Sequence, residues 1–233
     1  MNYLLNLKRD LKKLENKKKA AFLQRFFKTG KGEYGEDDVF IGLTVPQCRK
    51  IAAKYKDLEF LDVKKLLYSK IHEERMISLF ILISQFEKGD EKKKIFDFYI
   101  ANSKRVNNWD LVDSSAHKIA GVYLLNKPKD VLYKFANSSN LWQKRISLIS
   151  TFHFIKFEKF DDSLKLAEVL IFDKHDLIQK ALGWMLREIG KKDKSVEVKF
   201  LNKYYKKMGR TALRYAIERF LEGERLKYLH GKI

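Results

Sequence analysis

The sequence predicts an all-α fold, an α-α superhelix in which helix pairs repeat along the chain and stack into a solenoid. Apolar residues recur at intervals of three and four, as in Ile77, Phe80 and Ile81, which is the periodicity of an amphipathic helix. The chain has only two prolines among 233 residues. No Asn-Gly or Asp-Gly pair marks a β-hairpin. The third observation is a repeat.

A basic residue recurs close to the start of successive apolar segments. Arg145 and Lys180 are 35 residues apart, Lys180 and Arg214 are 34 apart, and Arg75 lies 70 residues before Arg145. The missing step near residue 110 is occupied by Trp-Asp-Leu at 109–111. A period of about 35 residues with two helices in each unit is typical of α-solenoids. We therefore expect the basic residues to line one surface of the stacked repeats.

The elements follow in order as one domain over 1–233. Residues 1–46 are predicted to hold N-terminal helices and a glycine-rich loop that starts at Lys28, and the repeats are predicted to run from about 47 to 225. Second helices of the repeats are expected at 91–102, 128–137, 160–172 and 194–207. Polar breaks between helices are expected near 57–60, 69–71, 89–90, 103–107, 138–140, 157–160, 173–175 and 190–193.

The glycine-rich loop contains Gly30-Lys-Gly-Glu-Tyr-Gly35, which formally matches G-x-G-x-x-G. The residues before it have a helical pattern rather than a strand pattern, and no βαβ unit follows, so a dinucleotide-binding loop is excluded. Its backbone amides are still a candidate site for a phosphate. The alternative is a loop that only connects the N-terminal helices to the first repeat.

Composition indicates an acidic partner. The chain has 49 Lys and Arg against 30 Asp and Glu, a formal net charge of +19. Nucleic acid, an anionic membrane surface or an acidic protein would each suit this charge, and so would a lysine-rich composition with no partner. No apolar run approaches the ~18 residues of a membrane span, and no signal peptide is recognised at the N-terminus. We expect a cytoplasmic protein that does not bind membranes.

No cofactor or metal is expected. Cys48 is the only cysteine, which excludes an internal disulfide and a cysteine zinc cluster, and it is interpreted as a buried thiol on a helix. None of the five histidines forms a His-x-x-x-His pair, and no Gly-x-Ser-x-Gly nucleophile motif is present. Metal-dependent and serine hydrolase chemistry therefore have no support in the sequence.

The candidate site combines a carboxylate with indole rings. Trp109 and Asp113 are four residues apart and so share a helix face, as do Lys180 and Trp184. On stacked repeats these side chains and Arg145 could converge on one groove, where the carboxylate and indole faces would suit a cationic group. The alternative is that both tryptophans pack in the core.

These residues also carry a resemblance. The chain resembles the DNA alkylation repair glycosylases, the AlkD-like proteins of HEAT-type repeats, nearly end to end. The most specific elements are Asn108-Trp-Asp-Leu-Val-Asp113 and Lys180-Ala-Leu-Gly-Trp-Met-Leu-Arg187. Less specific elements are Arg25–Gly35, Phe40–Arg49, His72–Arg75 and Trp142–Arg145.

The resemblance implies a glycosylase that removes cationic N3- or N7-alkylated purines from double-stranded DNA in base excision repair, with the base still in the stack. Asp113 is the implied catalytic residue, and Trp109 and Trp184 are the implied lesion-binding residues. Arg145 is implied to hold the nearby backbone, and Lys180, Arg75 and Arg214 are expected to bind phosphates. The expected enzyme is a monofunctional monomer, associated with the nucleoid when it acts on DNA. The alternative is a HEAT-type scaffold that binds nucleic acid or an acidic protein without chemistry.

Overall fold

The structure, a computed structural model, describes residues 3–89 and 91–233. The all-α fold class is confirmed: the described residues contain helices and no strand, and the one extended contact is an isolated parallel bridge between Val39 and Ile71. Two compact units are present, 1–111 and 112–233. That the whole of 1–233 is one domain stays a prediction.

The first unit is built around one long buried helix. Thirteen of the 17 residues of α5 (His72–Lys88) are buried, among them the charged residues of its first turn. The helices α3 and α4 pack on it. Thr44 caps α3 through a reciprocal hydrogen-bond pair with Gln47, which places the chain for that packing. The helices of this unit are α1 (Tyr3–Lys13), α2 (Lys17–Phe26), α3 (Val45–Lys54), α4 (Phe60–Leu67), α5 and α6 (Lys92–Ala101), and α7 (Trp109–Ala116) begins here.

The second unit has the two-layer arrangement of a helical-repeat solenoid. The helix α12 packs on α10 and α14 to form one layer, while α9, α11 and α13 each pack against a helix of that layer. Its elements are the π-helical turn His117–Gly121, α8 (Val122–Leu124), α9 (Asp130–Ala136), α10 (Leu141–Lys156), α11 (Asp161–Leu170), α12 (Asp176–Gly190), α13 (Lys194–Tyr204), α14 (Arg210–Ala216) and α15 (Glu222–His230).

Two glycines of the second unit allow close packing, Gly121 of the π-helical turn on α10 and Gly183 of α12 on α14. A Cβ atom at Gly121 would lie 2.4 Å from the Ser150 carbonyl oxygen, and one at Gly183 would lie 2.3 Å from the Ala212 carbonyl oxygen. Neither backbone oxygen can move away without disturbing its helix. Both positions therefore require glycine, and a side chain at either would separate neighbouring repeats.

The predicted helix breaks agree with the structure. Segments that are not α-helical interrupt the chain at each of the predicted positions among the described residues, although the 103–107 break contains a 3-10 turn at Ser103–Arg105 and Gly190 still belongs to α12. Only the part of the 89–90 break at Asp90 lies outside the described residues. The second helices expected at 128–137, 160–172 and 194–207 correspond to α9, α11 and α13. Cys48 is buried on α3 as expected, and burial raises the pKa of its thiol to about 12.

Candidate functional site

The start of α7 is held by hydrogen bonds to buried groups of the first unit. Asn108, which is fully buried, donates from Nδ2 to Asp38 Oδ2 over 3.2 Å and accepts the Trp109 backbone N–H at Oδ1 over 2.8 Å. Asp110 accepts the Leu111 N–H over 2.8 Å. These bonds satisfy N–H groups that a helix start leaves without helical partners. They fix the position from which Trp109 projects.

Trp109 belongs to an aromatic cluster and keeps part of its surface exposed. Its ring stacks on Phe27 with centroids 5.2 Å apart and meets the edge of Phe26 at 6.2 Å. Phe27 stacks in turn on Phe40 at 4.8 Å. Because the indole is supported on one side and half-buried overall, it is neither a free surface ring nor a fully buried core residue.

A cavity of about 390 Å³ lies in the first unit between α2 and α5. Its walls are mainly apolar and include Phe22, Phe26 and Met76, while His72 and Asp110 lie among its polar lining residues. No residue of α2 is buried, and Phe22 and Phe26 are more than half exposed. The helix α2 therefore covers this cavity without filling it.

His72 is the centre of a buried charge network. Its ring nitrogens contact two carboxylates, Nδ1 to Asp38 Oδ2 at 3.1 Å and Nε2 to Asp110 Oδ2 at 2.8 Å. Burial alone would lower the pKa of His72, but attraction to Asp110 and the hydrogen bonds to both carboxylates outweigh it and raise the pKa to about 9. The imidazolium form is therefore favoured at neutral pH, with both nitrogens donating.

We predict that this network makes stability depend on pH in the alkaline range. The pKa of His72 in the folded protein is raised above its usual 6.5 to about 9, so its contribution is complete below about 6.5 and is lost as pH rises through 9. The difference between these two pKa values corresponds to roughly 3 kcal/mol of unfolding free energy, at about 1.4 kcal/mol per pKa unit. Urea unfolding of wild type and His72→Gln should show the wild-type advantage at pH 6 shrinking by pH 9.5. A constant difference between the two proteins over this range would contradict the assignment.

Arg75 is buried in the same network. Its guanidinium donates to Asp38 and to the backbone oxygens of Ser69 and Lys70, and the side chain is 4% exposed. A buried arginine is tolerated because these acceptors replace its water shell. Arg75 is therefore part of the interior of the first unit in this structure, and its expected contact with a DNA phosphate stays a prediction.

In the second unit, a buried arginine fixes the orientation of Asp113. Arg145 donates from Nε to Asp113 Oδ1 at 2.8 Å and from Nη2 to Asp113 Oδ2 at 2.7 Å, a bidentate pair. Its Nη1 also donates to the Leu177 backbone oxygen. The Arg145 side chain is 5% exposed, whereas that of Asp113 is 19% exposed. The carboxylate is thus rigidly held and still partly open to solvent.

Trp184 is fixed from two sides in the same unit. Its indole Nε1 donates to Glu188 Oε1 at 3.0 Å, and its ring lies against Phe152 with centroids 5.8 Å apart. Phe152 contacts His117 at 5.4 Å in an edge-to-face arrangement. Trp184, Phe152 and His117 are each partly exposed. They form a continuous aromatic strip along α12, α10 and the π-helical turn.

His117 is favoured in its neutral form. Burial and the nearby charges of Lys156 and Lys118 lower the pKa of His117 to about 4. The imidazole follows Asp113 by four positions in the chain. Whatever binds beside this strip meets an uncharged ring there rather than a cation.

The remaining predicted basic residues are closer to the surface. Lys180 is half-buried and pairs with Asp176 at 2.7 Å, while Arg214 is exposed. Arg145, Lys180 and Arg214 occupy the same position counted from the start of α10, α12 and α14. The repeat in the sequence is therefore a repeat of helix positions, but burial and ion pairing distinguish its members.

The described residues contain neither a metal-binding cluster nor a membrane-spanning helix. Within residues 3–89 and 91–233, no group of three or more His, Cys, Asp or Glu side chains is arranged to hold a metal ion. No helix in these same ranges is long and apolar enough to cross a membrane.

Comparison with known proteins identifies the family. The family model described as DNA alkylation repair enzyme matches residues 7–220. This chain belongs to the DNA alkylation repair enzyme family. The fold is similar to that of a predicted DNA alkylation repair enzyme from Enterococcus faecalis, with a TM-score of 0.73 and 16% sequence identity over 89% of this chain and 97% of that chain. No curated protein matches.

Membership in the DNA alkylation repair enzyme family confirms the resemblance found in the sequence. The sequence did not reveal the network of His72 with Asp38 and Asp110, since its members are far apart in the chain. Glu188 could have been found, because it follows Trp184 by four positions. That Trp109, Asp113 and Trp184 line one cleft stays a prediction.

Proposed function

We propose that this protein is a monofunctional DNA glycosylase that removes cationic N3- and N7-alkylated purines from double-stranded DNA in base excision repair. The observation that carries the proposal is the carboxylate of Asp113, which is held by two hydrogen bonds from Arg145 and remains partly exposed. A charge fixed before the reaction starts stabilises developing charge without reorganisation. Membership in a DNA alkylation repair family supports the choice of substrate.

The proposed reaction needs no metal and no cofactor. The bond between C1′ and the purine nitrogen breaks, and its electron pair neutralises the positive charge of the alkylated base, which leaves as a neutral molecule. The sugar becomes oxocarbenium-like, and the Asp113 carboxylate stabilises this cation. Water then adds to C1′ and loses its proton, with Asp113 orienting the water molecule. Because the leaving base is already activated by its charge, a general acid is not required.

The tryptophans are proposed to bind the cationic lesion or its sugar. An indole face attracts a cation by ~0.5–2 kcal/mol, depending on how far the pair is removed from water. Trp184 is supported by Phe152, and Trp109 is supported by Phe27. Rings that are held in place lose little freedom when they bind, which preserves more of this attraction.

The charge of +19 is proposed to serve contacts with DNA phosphates. Arg214, which is exposed, and Lys180, which is half-buried, are proposed as direct contacts. Arg145 is proposed to contact the DNA backbone near the lesion through the guanidinium hydrogens that are not bonded to Asp113 or to Leu177. We further propose that the enzyme acts as a monomer in the cytoplasm, on nucleoid DNA.

The test is release of free methylated base from duplex DNA that contains 7-methylguanine, measured under single-turnover conditions. Release by the purified protein is expected without added metal or cofactor. Tight binding of the same duplex without base release would contradict the glycosylase and favour the non-catalytic scaffold.

DNA binding is predicted to weaken steeply with salt. If roughly six phosphates are neutralised, log K should fall against log salt concentration with a slope of about −5, taking about −0.9 per phosphate. Replacing Arg214 with alanine should weaken binding by a similar factor on any sequence and reduce the slope by about 1. Fluorescence anisotropy over a salt series measures both. An affinity that does not change with salt would argue for a protein partner instead.

A further inference from the structure

Trp184 and Glu188 are joined by a side-chain hydrogen bond within α12. The indole Nε1–H donates to Glu188 Oε1 at 3.0 Å, and the Glu188 side chain is 13% exposed. Both residues lie on α12, one helical turn apart. An indole N–H is a donor only, so this bond uses its whole hydrogen-bonding capacity. What remains available for a ligand is the ring itself.

The Glu188 carboxylate is held by cations in turn. Lys191 Nζ lies 2.6 Å from the same oxygen, Oε1, and Arg187 Nη2 lies 3.6 Å from it. Arg187 also pairs with Glu218 through Nη1. The two cations compensate the charge of Glu188, so its direct attraction for a cationic base is weak. An effect of Glu188 on such a ligand must therefore act through the indole.

We propose that Glu188 is a positioning residue for lesion recognition, which orients the Trp184 ring so that its face is presented to the cationic alkylpurine. The inference rests on the proposed glycosylase function. Glu188 fixes the polar edge of the indole, and Phe152, with its centroid 5.8 Å away, limits rotation of the ring about its side-chain bonds. A charge-assisted hydrogen bond also polarises the donor ring and strengthens its attraction for a cation. Without Glu188, the indole N–H would donate its hydrogen bond to water or to DNA, and the ring would lose its fixed orientation.

The experiment compares single-turnover release of 7-methylguanine by variants of the full chain. Glu188→Ala is expected to slow release about tenfold, which corresponds to about 1.4 kcal/mol. Glu188→Gln, whose amide oxygen can still accept the indole N–H, should stay within about threefold of wild type. Glu218→Ala is the matched control, because it removes a carboxylate from Arg187 and leaves the indole bond in place. Its rate should equal that of wild type.

A double-mutant cycle shows whether the effect passes through the indole. In a Trp184→Phe background, which lacks the N–H group, Glu188→Ala should cause no further loss. The indole N–H resonance of Trp184 in a ¹H–¹⁵N spectrum should move in Glu188→Ala and not in Glu218→Ala, which checks the bond in proteins that are shown to be folded.

The outcomes separate the two proposals. If the wild-type protein releases the base, any of three results would overturn the role of Glu188 and leave the glycosylase intact. These are full activity of Glu188→Ala, equal losses in Glu188→Ala and Glu218→Ala, and a loss from Glu188→Ala that is as large in the Trp184→Phe background as in wild type. Absence of release by the wild-type protein would overturn the glycosylase, and the role of Glu188 in lesion recognition with it.

Discussion

Asp113→Asn is expected to slow release of 7-methylguanine by ~10²-fold or more while DNA affinity changes little. Asparagine keeps the shape of the side chain and one hydrogen-bond acceptor for Arg145, but it removes the negative charge that would stabilise the oxocarbenium-like sugar. Loss of one preorganised electrostatic group costs a factor of this size in other enzymes. Because the substituted side chain is partly exposed, the protein should still fold.

Single-turnover kinetics with a duplex that contains one 7-methylguanine measure the effect, and thermal unfolding of each variant separates lost chemistry from lost structure. A suitable control is Asp162→Asn, since Asp162 is also a partly buried carboxylate, on α11, that accepts a hydrogen bond from Tyr133 at 2.7 Å. Its rate of release should be unchanged. Equal rates for wild type and Asp113→Asn would defeat the mechanism.

The same mechanism limits the substrates. A neutral lesion such as uracil or 1,N6-ethenoadenine needs protonation of the leaving base, and no acid is assigned to the proposed site. Such bases should be poor substrates under conditions that release 7-methylguanine. Efficient excision of uracil would contradict a mechanism that relies on the charge of the lesion.

Asp38→Ala is expected to cause the largest loss of stability among substitutions in the first unit. Asp38 is 4% exposed and accepts hydrogen bonds from His72, Arg75 and Asn108. Alanine would leave the Arg75 guanidinium buried without its carboxylate, and the charge of His72 would keep only Asp110. Removing one partner of a buried ion pair costs ~3–5 kcal/mol, because the remaining charge is not compensated.

Urea unfolding at pH 7, followed by circular dichroism, measures the free energy of unfolding from the midpoint and slope. The control is Asp57→Ala, which removes an aspartate that is 70% exposed and paired with Lys88. Exposed pairs of this kind contribute ~0.2–1 kcal/mol. If the two substitutions cost the same, the buried network does not stabilise the first unit as we describe.

The sequence was sufficient to predict the helices because the signals that define them are local. Apolar spacing marks each buried face, and the polar breaks between helices lie where the periodicity stops. The repeat of Arg145, Lys180 and Arg214 correctly indicated equivalent positions on stacked helices. These features depend on residues within a few turns of each other, which is the range over which a sequence pattern can be read.

Burial of the basic residues could not be predicted in the same way. Arg75 and Arg145 have the same pattern of neighbours as Arg214, yet the first two are buried against carboxylates and the third is exposed. The partner of Arg75 is 37 residues away and that of Arg145 is 32 residues away. Which side chain contacts a given arginine depends on how the helices pack. The spacing of residues along the sequence does not contain that information.

The π-helical turn at His117–Gly121 sets the rotation of the end of its helix relative to the start. An α-helix advances about 100° per residue, and a π-helical turn contains about one residue more than an α-helical turn. Winding the same residues as a regular α-helix would turn the buried Leu124 by about 100° about the axis relative to Asp113. The core packing of Leu124 and the hydrogen bonds of Asp113 with Arg145 would then require different rotations of the same helix. Loss of one residue from this turn, with return to regular α-helical winding, would by contrast keep Leu124 and Asp113 close to their present faces, so the turn is the place where this helix accommodates an extra residue.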